Sequence, residues 1–382
     1  MDKKNQTALQ KEVLDSIPKN PKGRLILAPR SGKTKIIIDL IKRDKYQSIL
    51  WITPERKLAD IDIPNEFVKW KAKGYLNKLT TTTYASLPKF KGHYDLIVLD
   101  EDQNVTELSI ENLLNKSLTC NSMIGMTGTD TTHYDKQVMY RILGLPIIYS
   151  LSVDDAVNLD ILSDYRVNVI YIPMDKRKNM LMKSKNGKRT WYTSEIENYN
   201  YLNRLVDSTN FAKWAVMKRL RAIGGSPTKE SVAKYLLHHL EGKTICFANT
   251  IEQSERLCDH TYHSKKDASD YLKFQQNEIN KIAMVNKGGV GHTYLGLENI
   301  ILVQADSDKT GLSSQKISRI LIKEDKTADI WILCLEGTQD SKWIENTLQR
   351  FNPNNIYRYR IDELIKTIEE KNERTISSKT NS

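Results

Sequence analysis

The stretch Leu25–Ile38, LILAPRSGKTKIII, decides the fold. Four apolar residues lead into a short loop, Pro29-Arg30-Ser31-Gly32, and a second apolar run begins after Lys33 and Thr34. A continuous apolar run reads as a strand buried on both faces, and TKIIIDLIKRD reads as a helix. A tight loop entering a helix aims backbone N–H groups and the helix dipole at an anion. Lys33 can neutralise β and γ phosphates, and the Thr34 hydroxyl can sit on Mg²⁺. Gly32-Lys33-Thr34 alone is common by chance; its position between strand and helix gives it weight. Arg30 stands where such loops usually carry glycine. If Arg30 takes a φ that non-glycine residues allow, Gly32 is the only obligatory glycine of the loop.

Further apolar runs follow: SILWI (48–52), DLIVLD (95–100), KTICFA (243–248), KIAMV (281–285), NIILVQ (299–304) and DIWILCL (329–335). They are continuous rather than alternating, and helical patterns such as SERLCDH lie between them. That alternation predicts parallel α/β sheets flanked by helices. The runs form two groups separated by a polar stretch. Within that stretch, residues 174–190 carry Lys176, Arg177, Lys178, Lys183, Lys185, Lys188 and Arg189 against the single acid Asp175. This is either a nucleic-acid contact or a solvated loop. Residues 205–240 read as helical, broken at Gly224-Gly225-Ser226-Pro227, and the segment after about 372 reads as a disordered tail.

The chain has 382 residues, more than one ordinary core needs and comfortable for two domains. Its 39% hydrophobic and 27% charged residues read as soluble and globular, and a cytoplasmic location is expected, in the host cytoplasm for a viral protein. The net charge of +11 suits a polyanionic partner, nucleic acid before membrane, and on charge alone it suits equally a soluble protein that is merely basic. Cys120, Cys246, Cys258 and Cys334 form no CxxC pair, so a reducing compartment without disulfides is expected. Cys258, His260 and His263 offer at most three metal ligands with no fourth at a usual spacing. The start, MDKKNQTALQ, lacks the apolar core of a signal peptide, and apolar runs are too short to span a membrane.

A second motif is Tyr94–Gln103, YDLIVLDEDQ. An apolar strand delivers Asp100 and Glu101 at its C-terminal end, where α/β proteins bind ligands. Asp100 can hold Mg²⁺ through water, and Glu101 can orient and deprotonate an attacking water. The alternative is an ordinary acidic turn, which the loop upstream disfavours.

In this order the motifs resemble those of the superfamily-2 helicases and translocases, of the DEAD/DEAH-like, Swi/Snf and type III restriction kind. Gln10 resembles the upstream glutamine that reads adenine. Thr53-Pro54, followed by Glu66-Phe67-Val68-Lys69-Trp70, and Thr82-Thr83-Tyr84 resemble backbone-contacting elements. Thr127-Gly128-Thr129 resembles the coupling motif. Asn249-Thr250 resembles the motif that opens a second lobe. Lys287-Gly288-Gly289-Val290-Gly291 is similar to a glycine-rich motif of Swi/Snf-type translocases, and Gln315 with Arg319 to an arginine-finger motif. Taken singly, Thr82-Thr83-Tyr84 reads equally as a strand end, and Gly288-Gly289 as a turn.

The resemblance implies two RecA-like lobes with parallel sheets. Residues 1–160 would form an N-terminal ATP-binding lobe. Residues 161–350 would form a second lobe carrying a basic, helical insertion at about 174–240, and 351–382 a C-terminal helix and disordered tail. It implies ATP and Mg²⁺ as cofactors, held between the lobes. ATP would be bound by Gln10, Pro29, Arg30, Ser31, Gly32, Lys33, Thr34 and Gly291, and the metal by Thr34 and Asp100. Lys33, Glu101, Gln315 and Arg319 would be catalytic, and Gln103, Thr127 and Thr129 would couple. Thr53, Pro54, Thr83 and Thr250 would contact nucleic acid, DNA more than RNA, through its phosphates, without sequence preference. A monomer is expected, and the compact core suits a phage or mobile-element protein. Departures from the pattern are Arg30, Gln103 in place of histidine, Ser318 in place of glycine and Ile322 in place of a second arginine, with Lys323 beside it. They keep open a helicase-like nucleic-acid-binding protein with weak or no turnover.

Overall fold

A computed structural model describes residues 3–128, 134–184, 186–285, 294–304, 317, 320–321, 326–349, 351–366 and 368. These fall into two units, one ending at Leu162 and one beginning at Ser163.

The first unit grows from the strand–loop–helix stretch. α1 (Lys3–Ser16) precedes β1 (Lys22–Leu27), and α2 (Lys33–Asp44) follows the loop. Then come β2 (Ile49–Thr53), α3 (Ile63–Lys69), β3 (Leu79–Thr83), β4 (Gly92–Asp100), α4 (Glu107–Leu114), β5 (Leu118–Thr127), α5 (Tyr134–Ile142), β6 (Ile147–Leu151) and α6 (Val153–Asn158). The strands form one sheet in the order β3-β2-β4-β5-β1-β6, and every neighbouring pair is parallel. All five residues of β2 are buried, as a continuous apolar strand requires. α2 buries Ile36, Ile37, Ile38, Leu40 and Ile41, and each contributes about 1.5–3 kcal/mol of hydrophobic stabilisation. Parallel strands bring their C-terminal ends to one edge, which puts the loop after β1 and the acidic turn after β4 on the same side.

The second unit begins with β7 (Tyr165–Ile172), an antiparallel ribbon of β8 (Met180–Lys183) and β9 (Thr190–Thr193), and three helices, α7 (Glu195–Ser208), α8 (Lys213–Gly224) and α9 (Pro227–His239). It continues with β10 (Lys243–Phe247), α10 (Ile251–Leu257), β11 (Thr261–Tyr262), α11 (Ser269–Gln275), β12 (Lys281–Met284), β13 (Leu297–Leu302), β14 (Ala328–Leu335), α12 (Gln339–Leu348) and β15 (Ile356–Arg360). Its main sheet runs β11-β12-β10-β13-β14-β7-β15, again parallel throughout. Every residue of β14 is buried, consistent with its place between two neighbours and under helices.

Two expectations change. The basic segment 174–190 contains the β8–β9 ribbon rather than a loop alone. The segment from 351, read as helix and tail, first adds β15 to the edge of the sheet beside β7, and helix starts only at 361. IYRYR carries β-branched and aromatic residues that favour a strand, and its exposed arginines suit an edge. No cysteine forms a disulfide. Among the described residues no helix is long and apolar enough to cross a membrane.

One buried ion pair closes the second unit. Lys229 on α9 and Asp340 at the start of α12 are both fully buried and in contact. The Lys229 ammonium also donates to the Val303 carbonyl at 2.9 Å, and Asp340 Oδ2 accepts from the Leu335 N–H at 3.0 Å. Lys229→Ala should cost about 3–5 kcal/mol in denaturant unfolding, because it strands a buried carboxylate. The paired Lys229→Met, Asp340→Asn variant should recover most of that loss; an equal loss in both would contradict it.

Candidate active site

The loop after β1 turns on two left-handed residues, Arg30 at φ +68° and Gly32 at φ +90°. The condition set for Arg30 is not met: it holds a conformation that costs a side-chain-bearing residue roughly 1–2 kcal/mol. Gly32 has two reasons to be glycine, its φ and the Gln10 side chain, whose amide nitrogen a Cβ would strike. Gln10 is buried on α1 and donates to the Ser31 carbonyl at 3.0 Å, while Gln6, one turn earlier, donates to the Arg30 carbonyl at 2.5 Å. Gln10, expected to read adenine, thus spends its amide N–H on the loop. The two glutamines supply the hydrogen bonds that hold the unusual turn.

The loop is suited to an anion. The cap of α2 is Gly32, which has no side chain to offer the first-turn N–H groups. Ser31 Oγ is buried without a hydrogen-bond partner among the described residues. Lys33 and Thr34 occupy the first turn of α2, both half-buried, and Pro29 starts the loop. A phosphate would satisfy these donors together.

The acidic turn meets this loop. Glu101 is left-handed at φ +49°, and Asn104 closes the turn with its backbone N–H and side-chain amide on the Glu101 carbonyl at 2.9 and 3.0 Å. Lys33 Nζ lies 3.4 Å from Glu101 Oε1. The other Glu101 oxygen accepts from Gln103 Nε2 at 2.9 Å, and Gln103 Oε1 accepts from the Thr127 hydroxyl at 2.7 Å. Gln103 thus bridges the carboxylate and the Thr127-Gly128 motif, using one end as donor and the other as acceptor. A Cβ on Gly128 would approach Lys33 Nζ to 3.1 Å, so that motif also borders the lysine. Burial, and then the like charge of Glu101, raise the Asp100 carboxyl to about 6, against the pull of Lys33 and of the Trp51 indole N–H 3.4 Å away.

Three residues beneath the turn escaped the sequence reading. Asp102 is fully buried and takes the Arg24 guanidinium at 2.7 and 3.2 Å and the Tyr140 hydroxyl at 3.1 Å. Burial raises its carboxyl, opposed by Arg24 and Tyr140. Arg24 lies 3.5 Å over the Tyr140 ring, and Gly125 leaves the space that Asp102 fills. An arginine inside the apolar strand KGRLIL was the available signal; Tyr140 had none.

The expected nucleic-acid contacts are distributed unevenly. Thr53 is fully buried, and its hydroxyl donates to the Glu55 carbonyl at 2.9 Å, so it shapes the loop rather than presenting a hydroxyl. Thr83 and Pro54 are half-buried, with the Thr83 hydroxyl on Ser86 Oγ at 3.2 Å. Thr250 caps α10, accepting from the Gln253 N–H at 3.1 Å. Thr129, Gly288, Gly289, Gly291, Gln315, Ser318, Arg319, Ile322 and Lys323 lie outside the described residues.

Asp100 and Thr34 offer one carboxylate and one hydroxyl, which fits Mg²⁺, a hard ion that keeps waters and binds beside substrate phosphates. Among the described residues no group of three His, Cys, Asp or Glu could hold a metal unaided, so the phosphates would have to complete the set.

No family model matches this sequence. The DNA 3'-5' translocase XPB2 of Sulfurisphaera tokodaii is 21% identical over 364 residues, which cover 87% of this chain and 82% of that protein. The solved ATP-dependent Type ISP restriction-modification enzyme LlaBIII bound to DNA superposes with a TM-score of 0.59 at 14% identity; 94% of this chain is covered, and it spans 31% of the length of that protein. Dbp5 of S. cerevisiae, bound to RNA and ADP BeF3, gives a TM-score of 0.54 at 12% identity, covering 95% of this chain and 92% of that one. These likenesses show the fold: two RecA-like α/β domains with parallel sheets flanked by helices.

Two predictions follow from the site geometry. Arg30→Gly should stabilise the protein by about 1 kcal/mol in denaturant unfolding; a less stable variant would show that side-chain contacts of Arg30 outweigh the strain of its φ. For Asp100, the folded carboxyl titrates near 6, above the unfolded value of about 3.9. Its contribution to stability is therefore present below about pH 4 and lost as pH rises through 6. In metal-free protein, Asp100→Asn should flatten that part of the stability profile and gain roughly 1–3 kcal/mol at pH 7. A variant less stable than wild type at pH 7 would refute it.

Proposed function

We propose that the chain is an ATP-dependent nucleic-acid helicase or translocase that acts on DNA in preference to RNA. One observation carries the reading. Lys33 stands 3.4 Å from Glu101 at the mouth of an anion-ready loop, and Glu101 continues through Gln103 to Thr127. A nucleotide γ-phosphate brought to this loop would take over the Lys33 ammonium and leave Glu101 to orient and deprotonate water. Mg²⁺, held by Asp100 and Thr34, would neutralise charge on the phosphates. A change at the γ-phosphate would reach Thr127 through Gln103, and we assign coupling to that link together with Thr129.

Residues 1–160 would then be the ATP-binding lobe, and 161–350 a second lobe with an insertion at about 174–240. The roles of Gly291, Gln315 and Arg319 rest on the resemblance of their sequence motifs alone. The preference for DNA is supported by the curated relative, which is named a DNA translocase.

The test is a panel of ATPase rates with single-stranded DNA, duplex DNA, forked DNA and RNA, beside a strand-displacement assay. Lys33→Ala and Glu101→Gln should each lower turnover by about 10²-fold or more. Stimulation below about twofold by every polynucleotide would overturn the proposed coupling. Nucleic-acid binding that survives Glu101→Gln, with no phosphate release from the wild type, would favour a binding protein instead.

A further inference from the structure

α8 is charged in one sense only. Its sequence, KWAVMKRLRAIG, carries Lys213, Lys218, Arg219 and Arg221 and no carboxylate. Ala215, Ile223 and Gly224 are buried, whereas Trp214 is 51% and Met217 40% exposed. Phe211, just before the helix, is 64% exposed. Positions 214, 218 and 221 follow the four- and three-residue spacing of one helical face, and Phe211 stands three residues before Trp214. The Lys218 ammonium sits 5.1 Å from the centroid of the Trp214 ring, so ring and cation are presented together.

The exposure of Phe211 is built into the turn. α7 closes with the Phe211 N–H on the Val206 carbonyl at 2.9 Å, and Asn210 and Phe211 hold φ of +47° and +61°. A bulky residue in the left-handed region is strained, and strain of this kind collects at working sites. Here it leaves an aromatic ring in solvent at the entry to α8.

The other end of the stripe reaches the loop that carries Thr250. The Gly224 carbonyl accepts from Gln253 Nε2 at 2.9 Å, and Gln253 Oε1 accepts from the Asn249 N–H at 2.8 Å. Gly224 packs so closely on Asn249 that a Cβ would strike its amide. The end of α8 is therefore seated on the Asn249-Thr250 segment.

We infer that the outer face of α8 binds a single strand of nucleic acid, stacking bases on Phe211 and Trp214 and pairing phosphates with Lys218 and Arg221. The inference rests on the nucleic-acid reading above and adds a contact outside its motifs. Charge complementarity selects the occupant: rings alternate with cations, and the helix offers no acid that would repel a phosphate backbone. Base stacking on an aromatic side chain is worth about 1–3 kcal/mol per base and tolerates any sequence.

The test is fluorescence anisotropy of the full chain with labelled oligo-dT, oligo-rU and duplex DNA, at several salt concentrations. Phe211→Ala with Trp214→Ala should weaken single-strand binding about tenfold or more while ATP binding holds. Trp214→Phe, which keeps a stacking ring, should retain most of the affinity. Lys218→Ala with Arg221→Ala should lower the slope of log affinity against log salt by about 1.4. The dT and rU arms separate DNA from RNA. Wild-type single-strand affinity in both double variants would overturn this inference and leave the proposed function standing. A wild type that binds no nucleic acid would overturn both. Unchanged nucleic-acid affinity with altered mass by light scattering would overturn the inference and mark the stripe as a contact between copies of the chain.

Discussion

Arg24 and Asp102 face each other inside the first unit at 2.7 Å, and the geometry of the acidic turn depends on that pair. Asp102 leaves β4 two residues after Asp100 and is drawn back over the sheet, into the space above Gly125. Glu101 lies between a carboxylate at the strand end and one anchored in the interior. The chain bridges them by entering the left-handed region at Glu101, and the turn then brings the Glu101 side chain to Lys33. A buried ion pair contributes little net stability, since desolvation offsets most of its attraction. What it supplies here is a fixed position, with Tyr140 completing the hydrogen bonds of Asp102.

The same logic applies to the loop after β1. Arg30 and Glu101 are both non-glycine residues at positive φ, and both border the lysine that would meet phosphate. Each strained turn is held from outside itself: Arg30 and Ser31 by Gln6 and Gln10 of α1, Glu101 by Asn104 and by the neighbouring Asp102. Strain persists only where the surroundings over-determine it. The helix α1 is therefore part of the site, although it carries no group suited to chemistry. Gln103 shows why histidine is replaceable at its position. The link to Thr127 needs one donor and one acceptor about an amide width apart, and an amide supplies both without depending on a tautomer.

Much of the fold was legible because parallel strands advertise themselves. LILA, SILWI, DLIVLD, KTICFA, KIAMV, NIILVQ and DIWILCL all lie in strands, since burial on both faces demands unbroken apolar residues. The strands that escaped notice dilute that signal. β3 is LTTTT at an edge of the first sheet, β5 opens with LTCNS, β7 carries Arg166 and Asn168, and β15 alternates tyrosine with arginine at an edge of the second sheet. In β7 the polar residues are not errors of burial, because Asp329 on β14 takes Arg166 at 3.0 Å and Asn168 at 3.2 Å. Such pairs join residues far apart in the chain, and no local pattern contains them. The site divides the same way. Lys33, Asp100, Glu101 and Gln103 were readable from short motifs, but the φ of Arg30, the orientation of Gln10, the burial of Thr53 and the support from Arg24 all depend on tertiary neighbours.

The second unit shows how an exposed element can be kept stiff. Glu195 is buried at the start of α7, and its carboxylate accepts from the Asp175 N–H at 2.8 Å, the Thr228 N–H at 3.1 Å and the hydroxyls of Thr228 and Ser226. One side chain thus joins the entry to the β8–β9 ribbon, the first turn of α7 and the first turn of α9. α9 is in turn bound to the sheet through Lys229, Val303 and Asp340. α8 lies between α7 and α9 in the chain, and its end is fixed by Gly224 on Gln253. Its aromatic and basic face is therefore carried by hydrogen bonds that run back to the centre of the sheet. The end of α8 is thus tied to α10 by Gln253, and its neighbour α9 to the sheet by Lys229.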